Sequence, residues 1–197
     1  MISLKHKYIF IHIPKCAGST IEDTLQEDSC ILRKNTWPNN LKVPYPLNHL
    51  TLDDIKNSKI IFPNFSAFYS FTFTRNPFDR LVSEYFYLKK RLKKLPNNTK
   101  EGLIFLSNKS ENGIMGNHCM HQHKFINDNI NYVGKFENLQ EDFNIICDKI
   151  GIPKQQLPHS NKSKHKHYTE YYDDETKQIV AEKYARDIEC FGYEFGE

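Results

Sequence analysis

Two segments of this chain share one pattern, an apolar run followed by a turn and a helix start, and this repetition most constrains the fold. In residues 8–20, β-branched and aromatic residues precede Pro14 and a turn of small residues. In residues 71–85, a similar run ends at Arg75, Asn76 and Pro77. Short apolar runs bounded by turn residues favour buried strands. The alternation of strands and helices predicts a parallel α/β sheet, with both turns at the carboxyl ends of its strands.

The turn in the first segment has the composition of an anion-binding turn. Ala17 and Gly18 allow close approach of the backbone, and Ser19 or Thr20 is placed to start a helix. Free backbone N–H groups at a helix start attract anions, and Lys15 adds a full positive charge. In the nucleotide loop of kinases the lysine follows the glycines, whereas here it precedes them. An ordinary strand-to-helix turn with a surface lysine is the alternative.

The second segment also has the composition of a phosphate-binding turn. Asn76 is a good N-cap and Pro77 a good first helical residue, which places Arg75 at the end of the strand. The planar fork of arginine suits a phosphate group. Ser83 lies about 10 Å further along the helix, so both residues reach one phosphate only if it lies alongside the helix. The alternative is that Arg75 pairs with Asp79 and Ser83 fills a helix face.

Together these segments resemble the signature pair of sulfotransferases that use 3′-phosphoadenosine 5′-phosphosulfate (PAPS). The closest resemblance is to carbohydrate sulfotransferases related to heparan sulfate 2-O- and chondroitin 4-O-sulfotransferases. Further similar blocks lie at residues 133–139, 157–163 and 184–195. The resemblance implies one sulfotransferase domain over residues 1–197. Its implied fold is a three-layer α/β structure, with a parallel sheet and a phosphosulfate-binding turn similar to the P-loop.

The resemblance also implies a donor site. Its residues are Lys15, Cys16, Ala17, Gly18, Ser19, Thr20, Arg75, Ser83, Lys162 and Ser163. Lys15 and the backbone of the first turn hold the 5′-phosphosulfate and stabilise the leaving phosphate, while Arg75 and Ser83 hold the 3′-phosphate. The implied product is 3′-phosphoadenosine 5′-phosphate (PAP). No metal is expected, because the sulfonate carries less charge than a γ-phosphate.

His49 is the candidate for the general base that takes the proton of the acceptor hydroxyl. It lies between the two segments, just before a Thr51–Asp54 capping box that would fix its loop at a helix start. In the heparan sulfate 2-O-sulfotransferase branch, a histidine in this region is the base. A surface histidine is the alternative. His12 alternates with buried positions of the first strand and is expected to be a hydrogen-bonded structural residue.

The histidine cluster at residues 118–123 invites a metal interpretation, but its spacing matches neither a zinc finger nor H-E-x-x-H. In the family this region tends to face the acceptor, and Gln122 matches a recurrent glutamine. The basic run at residues 164–167 is expected to be a flap near the donor. Residues 132–135 are expected to form a strand, and 139–150 and 173–190 to form helices.

Composition favours a small enzyme. With 197 residues, of which 39% are hydrophobic and 13% aromatic, the chain can form one domain with a sizeable core. A net charge of +3 gives no sign of nucleic-acid binding. The basic run at residues 89–94 either forms a solvated helix face or attracts a polyanionic acceptor.

The cysteines and the N-terminal residues indicate the cellular compartment in which the protein is expected. The five cysteines form no C-x-x-C pair, so no disulfide framework is expected. With neither a signal peptide nor a membrane span in evidence, we expect a cytoplasmic enzyme of bacterial or viral origin. Cys16, at a helix start, is either a thiol of lowered pKa or an inert packing residue.

The sequence therefore predicts a sulfotransferase that passes a sulfuryl group from PAPS to a carbohydrate hydroxyl, on a polysaccharide, oligosaccharide or glycolipid. Two other functions stay open. One is a small-molecule kinase, which would need a Walker lysine and a carboxylate for Mg²⁺. The other is a non-catalytic module that binds a phosphonucleotide or a glycan.

Overall fold

The chain alternates strands and helices in the computed structural model, which describes residues 1–26, 30–31, 49–57, 67–92, 95–109, 117–158 and 165–197. The strands are β1 (Ile2–Ser3), β2 (Tyr8–Ile11), β3 (Cys30–Ile31), β4 (Tyr69–Thr74) and β5 (Tyr132–Lys135). The α-helices are α1 (Gly18–Thr24), α2 (Leu52–Asn57), α3 (Pro77–Lys89), α4 (Thr99–Ser107), α5 (Leu139–Ile150), α6 (Asp174–Lys183) and α7 (Ala185–Phe191). None of these helices is long and apolar enough to cross a membrane.

Strands β2, β4 and β5 form the parallel centre of a sheet with the order β3-β1-β2-β4-β5. Phe71 of β4 pairs with Phe10 of β2 and with Tyr132 of β5. The predicted α/β class with a parallel sheet is thereby confirmed. The antiparallel pairs of β1 with β2 and β3 at one edge were not predicted, because two-residue strands are too short to show a pattern.

The core around the sheet consists mainly of large apolar side chains. Phe10, Phe71 and Phe73 are buried in one cluster with Phe143 of α5. Burying a side chain of this size contributes about 1.5–3 kcal/mol. Gly134 of β5 is required here, because a Cβ at this position would lie 2.7 Å from the Phe73 ring. This packing fixes the strand ends that carry the two predicted turns.

Two predicted helix starts are confirmed by their caps. The Asn76 side chain accepts a hydrogen bond from the Phe78 N–H at the start of α3. At the start of α2, the Thr51 N–H donates to Asp54 Oδ2 at 2.8 Å, and the Asp54 N–H donates to Thr51 Oγ1 at 3.0 Å. This reciprocal pair is a capping box. It holds the chain directly after His49.

The two faces of α3 have different neighbours. Leu81 and Tyr85 pack into a second apolar cluster with α4 and α6. Arg80, Glu84 and Tyr87 share the other face, because residues three and four apart in a helix lie side by side. The apolar face therefore anchors the helix, and the polar face is available for the site described below.

The C-terminal helices agree only in part with the sequence-based expectation. α5 has the predicted bounds and ends at Gly151, whose φ of 69° is the left-handed conformation that glycine favours. The single helix expected at residues 173–190 is wrong, since α6 and α7 meet at Tyr184. The buried Tyr184 hydroxyl donates to the Cys119 carbonyl, and this contact fixes the junction.

Candidate active site

The turn after β2 has a strained backbone. Lys15 and Ala17 have φ angles of 69° and 62°, which are left-handed values that cost non-glycine residues roughly 1–2 kcal/mol each. Such strain is typical of functional turns. α1 begins at Gly18 with Ala17 as its N-cap and no side-chain cap, so the predicted start at Ser19 or Thr20 is wrong by one or two residues.

The backbone of this turn is suited to an anion. A left-handed residue beside residues of negative φ turns successive N–H groups toward one point, and the first N–H groups of a helix lack intrahelical acceptors. α1 has only seven residues, so the turn itself contributes more than the helix dipole invoked in the sequence analysis. The backbone N–H groups of Ala17, Gly18, Ser19 and Thr20 are the candidates, whereas the N–H of Cys16, also predicted to bind the donor, donates to the Ile13 carbonyl at 3.4 Å.

Gly18 is required by a neighbouring ring. A Cβ at this position would lie 2.0 Å from Cδ2 of His12. The His12 ring is itself fixed by Glu22 of α1, with Nδ1 3.0 Å from Oε1. The expectation of a hydrogen-bonded, structural His12 is confirmed. Besides the close backbone approach expected of Gly18, its lack of a side chain makes room for the His12 imidazole.

Lys15 points its ammonium group over an aromatic ring. Its Nζ lies 4.1 Å from the ring centroid of Tyr87 on α3. Burial lowers the pKa of Lys15, the carboxylate of Glu84 opposes this, and the charges of Arg75 and Arg91 lower it further. Lys15 is therefore a partly desolvated cation beside the anion-binding turn, rather than a freely solvated surface lysine.

Arg75 joins the two turns. Its Nη1 donates to the Lys15 carbonyl at 3.0 Å, its Nε donates to Asp79 Oδ2 at 2.8 Å, and its Nη2 lies 2.7 Å from the same carboxylate oxygen. The guanidinium also lies over the Phe136 ring, 3.9 Å from its centroid. The Arg75–Asp79 pair weighed in the sequence analysis is thus present. It orients the guanidinium without using all of its donors.

Gln122 holds the backbone of Arg75, which sequence analysis missed. Its Oε1 accepts from the Arg75 N–H at 2.9 Å and its Nε2 donates to the Arg75 carbonyl at 2.8 Å. Asp187 fixes Gln122 in turn by accepting its N–H at 2.7 Å. Gln122 is fully buried, and the expectation that its region faces the acceptor stays a prediction. The histidine-rich sequence around it signalled only that the region was unusual.

Ser83 lies in α3, two turns after its start, and is buried. It occupies the same side of the helix as Arg80, Glu84 and Tyr87, within an arc of about 100°. Arg80 on this face donates to three carbonyl groups, those of Pro14, Met120 and His118. The polar face of α3 is therefore bound directly to the turn after β2.

His49 is a buried residue, and its alternative interpretation as a surface histidine is wrong. Its Nδ1 lies 3.1 Å from the His12 carbonyl oxygen, which can only accept, so Nδ1 carries the proton and Nε2 the lone pair. The His49 ring packs edge-on against the rings of His12 and His118, with centroids 4.6 and 5.1 Å apart. Burial and these two imidazoles lower the pKa of His49 to about 2.

His118 connects His49 with the lysine. Its ring stacks on Tyr87 at a centroid distance of 5.7 Å, and Lys15 lies over that same tyrosine. Its Nδ1 lies 3.0 Å from Oε2 of Glu84, a buried carboxylate on α3. His49 and Lys15 thus belong to one packed group of side chains.

Cys16 is an inert packing residue. Its thiol is buried, with Sγ 3.3 Å from Gln122 Oε1, and burial raises its pKa to about 12. The alternative of a thiol with lowered pKa is therefore wrong, and the backbone N–H of Cys16 donates to the Ile13 carbonyl. Cys119, Cys147 and Cys190 also carry free thiols.

His121, His123 and Asp187 are close enough to hold a metal ion, with one ligand atom from each within 4.8 Å of the others. However, both oxygens of Asp187 already accept hydrogen bonds, from the backbone N–H groups of Gln122 and His123 and from the His123 ring at 2.6 Å. We therefore regard this group as the anchor of the Gln122 turn. Lys162 and Ser163, predicted to bind the donor, lie outside the described residues, as does Lys164 of the predicted basic flap.

Two cationic turns thus meet at the carboxyl ends of adjacent parallel strands, where α/β sheets bind their ligands, and their charge suits a ligand that carries phosphate groups. A sequence model of the Sulfotransferase family matches residues 1–194. The chain belongs to this family, whose members transfer sulfuryl groups and generally use PAPS as the donor. No curated protein and no solved structure matches the chain.

Proposed function

We propose that this protein is a single-domain sulfotransferase, over residues 1–197, that transfers a sulfuryl group from PAPS to a hydroxyl group of a carbohydrate. The observation that carries the proposal is the 3.0 Å hydrogen bond from Arg75 Nη1 to the Lys15 carbonyl. It brings the cation of the second turn to the anion-binding backbone of the first. A donor with one phosphate at each end of its ribose requires two such neighbouring cationic groups.

The donor set of Arg75 fits a phosphate. A guanidinium has five N–H groups, and in the described part of the chain three of them face Asp79 and the Lys15 carbonyl. One N–H therefore remains on each terminal nitrogen, so two donors are left that can bind a phosphate. We assign Arg75 and Ser83 to the 3′-phosphate. Lys162 and Ser163 stay predictions from the sequence.

The first turn fits the phosphosulfate group. We assign it to Lys15 and the backbone N–H groups of residues 17–20, since the N–H of Cys16 donates to the Ile13 carbonyl. Bound there, PAPS supplies the sulfuryl group. Lys15 stabilises the negative charge that builds up on the leaving phosphate oxygen, an electrostatic role for a preorganised cation. With Arg75 and Lys15 in place, no metal is required.

His49 is the proposed general base. Its Nε2 carries the lone pair, so it can accept the proton of the acceptor hydroxyl as the new S–O bond forms and the bond to the leaving phosphate breaks. The low pKa keeps His49 unprotonated at neutral pH but makes it a weak base when isolated. A bound donor anion favours the imidazolium form, so donor binding should strengthen the base where it is needed.

The carbohydrate acceptor rests on the sequence resemblance and on the exposed cations Lys89, Lys90 and Arg91 at the end of α3. These charges suit an acceptor that carries negative groups. The kinase alternative is set aside by the family match. A non-catalytic binding module is the alternative that the experiment must distinguish. The cytoplasmic location stays a prediction.

The proposal is tested by calorimetric titration with PAP, with 5′-AMP and ATP as controls and without added metal. We expect PAP to bind much more tightly than 5′-AMP, because only PAP carries a 3′-phosphate. Radiolabelled PAPS and a panel of glycans would then report transfer, with His49→Asn as the inactive variant and Lys149→Ala as a surface control. No PAP binding refutes the donor site. Binding without transfer to any glycan favours the non-catalytic module.

A further inference from the structure

Glu84 is a buried carboxylate for which the proposed reaction gives no role. It is 1% exposed and lies in the middle of α3. Its two oxygens are 3.1 and 3.0 Å from Nδ1 of His118. A buried charge is costly unless it is paired and hydrogen-bonded, so its position calls for an explanation.

The surroundings of Glu84 lead to Lys15. Tyr87 follows Glu84 by one helical turn, and its ring contacts both the ammonium group of Lys15, 4.1 Å from the centroid, and the stacked ring of His118. Arg80 holds the His118 carbonyl from the same helix face at 2.9 Å. Glu84, His118 and Tyr87 thus form one packed wall beside Lys15.

Glu84 is the acidic side chain that opposes the positive charges acting on Lys15. Arg75 and Arg91 both disfavour the ammonium form, as does burial, whereas Glu84 favours it. In the described part of the chain, no carboxylate lies within 4.0 Å of Lys15 Nζ to form a direct ion pair. The carboxylate of Glu84 therefore acts on Lys15 from its place beside His118, without a direct ion pair.

We propose that Glu84 is a positioning residue of the sulfuryl transfer, which keeps Lys15 in its charged form and seats His118 against His49. The inference rests on the proposed function, because the role of Lys15 is defined there. An indirect counter-ion suits this role. A direct ion pair would occupy the ammonium group that must bind the phosphosulfate, whereas an uncompensated lysine would lose its proton too readily.

Other titratable and charged groups near the pair are Arg80, Cys119 and Tyr184 beside Glu84, and His49 and Tyr87 beside His118. Burial raises the pKa of Cys119 to about 11 and that of Tyr184 as well. The pKa of His49 is about 2. These three groups therefore stay neutral between pH 7 and 9, where the charge on Lys15 is to be tested.

The test is the affinity for PAP as a function of pH, in wild type and Glu84→Gln. Glutamine keeps the shape and can still accept from His118 but lacks the charge. At pH 7 we expect Glu84→Gln to bind PAP within about threefold of wild type. At pH 9 we expect the PAP affinity of Glu84→Gln to fall relative to wild type by a further factor of about three or more. The reason is that, without the carboxylate, Lys15 loses its proton at a lower pH.

Glu22→Gln is the matched control, because Glu22 forms the equivalent pair with His12 but is not among the charges that act on Lys15. The PAP affinity of Glu22→Gln should change between pH 7 and pH 9 as it does in wild type; this change is the alkaline limb. Glu84→Asp, which retains the charge, should also keep the alkaline limb of wild type. Parallel curves for wild type and Glu84→Gln overturn the proposal. If Glu84→Gln does not fold, Lys15→Arg decides: arginine should flatten the limb, and a persistent limb overturns the proposal. No PAP binding by wild type refutes the donor site instead.

Discussion

Replacement of Arg75 by alanine should weaken PAP binding far more than 5′-AMP binding. Two N–H groups of Arg75 remain for the 3′-phosphate after those that face Asp79 and the Lys15 carbonyl. Each hydrogen bond to a charged group contributes about 1.5–3 kcal/mol. Taking about 3 kcal/mol for the pair, and tenfold for each 1.4 kcal/mol, the expected loss of PAP affinity is about 100-fold.

The same variant also removes the hydrogen bond to the Lys15 carbonyl. A hydrogen bond to a neutral acceptor contributes about 1 kcal/mol. This part of the loss must be common to PAP and 5′-AMP, because both carry the 5′-phosphate. We therefore expect 5′-AMP affinity to fall by no more than about fivefold. Arg75→Lys keeps the charge but lacks the fork, so it should lie between wild type and alanine for PAP.

The assay is calorimetric titration of each variant with both ligands, which gives a thermodynamic cycle. Arg186→Ala, at an exposed position of α7, is the matched control and should leave both affinities unchanged. Equal losses for the two ligands in Arg75→Ala would show that Arg75 only holds the first turn. The 3′-phosphate would then have to be bound elsewhere.

Three further predictions concern residues around the first turn. Gly18→Ala should lower the free energy of unfolding by about 1–3 kcal/mol in chemical denaturation, and by less in a His12→Ala background, because the added Cβ meets the His12 ring. Iodoacetamide at pH 8 should modify exposed Cys190 but not Cys16 in the native protein, as peptide mapping would show; a modified Cys16 contradicts its burial. The pKa of His49 is lowered to about 2, so on acidification the unfolded state binds the His49 proton before the folded state does. The free energy of unfolding should therefore fall by about 2 kcal/mol between neutral pH and pH 5. His49→Gln should reduce this fall, and the same pH dependence in wild type and variant would refute the reasoning.

The parts of the fold that the sequence predicted are those that depend on local signals. The Asn76 N-cap, the Thr51–Asp54 capping box and the Gly151 helix end each follow from residues within four positions of one another. The strands of the parallel centre follow from short apolar runs with clear ends. Tyr184 broke the predicted C-terminal helix because its burial against Cys119 is a tertiary contact.

The parts of the site that the sequence did not predict depend on contacts between distant residues. Gln122 is 47 positions from Arg75, and Asp187 is 65 positions from Gln122, yet the hydrogen bonds that link these three residues fix the backbone of the second turn. The histidines around Gln122 suggested metal chemistry, whereas its amide makes the two backbone hydrogen bonds. Only the packing of α7 on that turn reveals the difference.

The two turns were predicted to bind the two phosphate groups of one ligand, and α3 connects the cations of both turns. Asp79, in the first turn of this helix, pairs with Arg75, and Glu84, five residues later, acts on Lys15 of the other turn. The apolar face of α3 fixes its rotation, so both carboxylates and Ser83 are set by the same packing. A substitution that rotates or shortens α3 should therefore disturb both cations together, whereas a change within either turn should affect mainly its own cation.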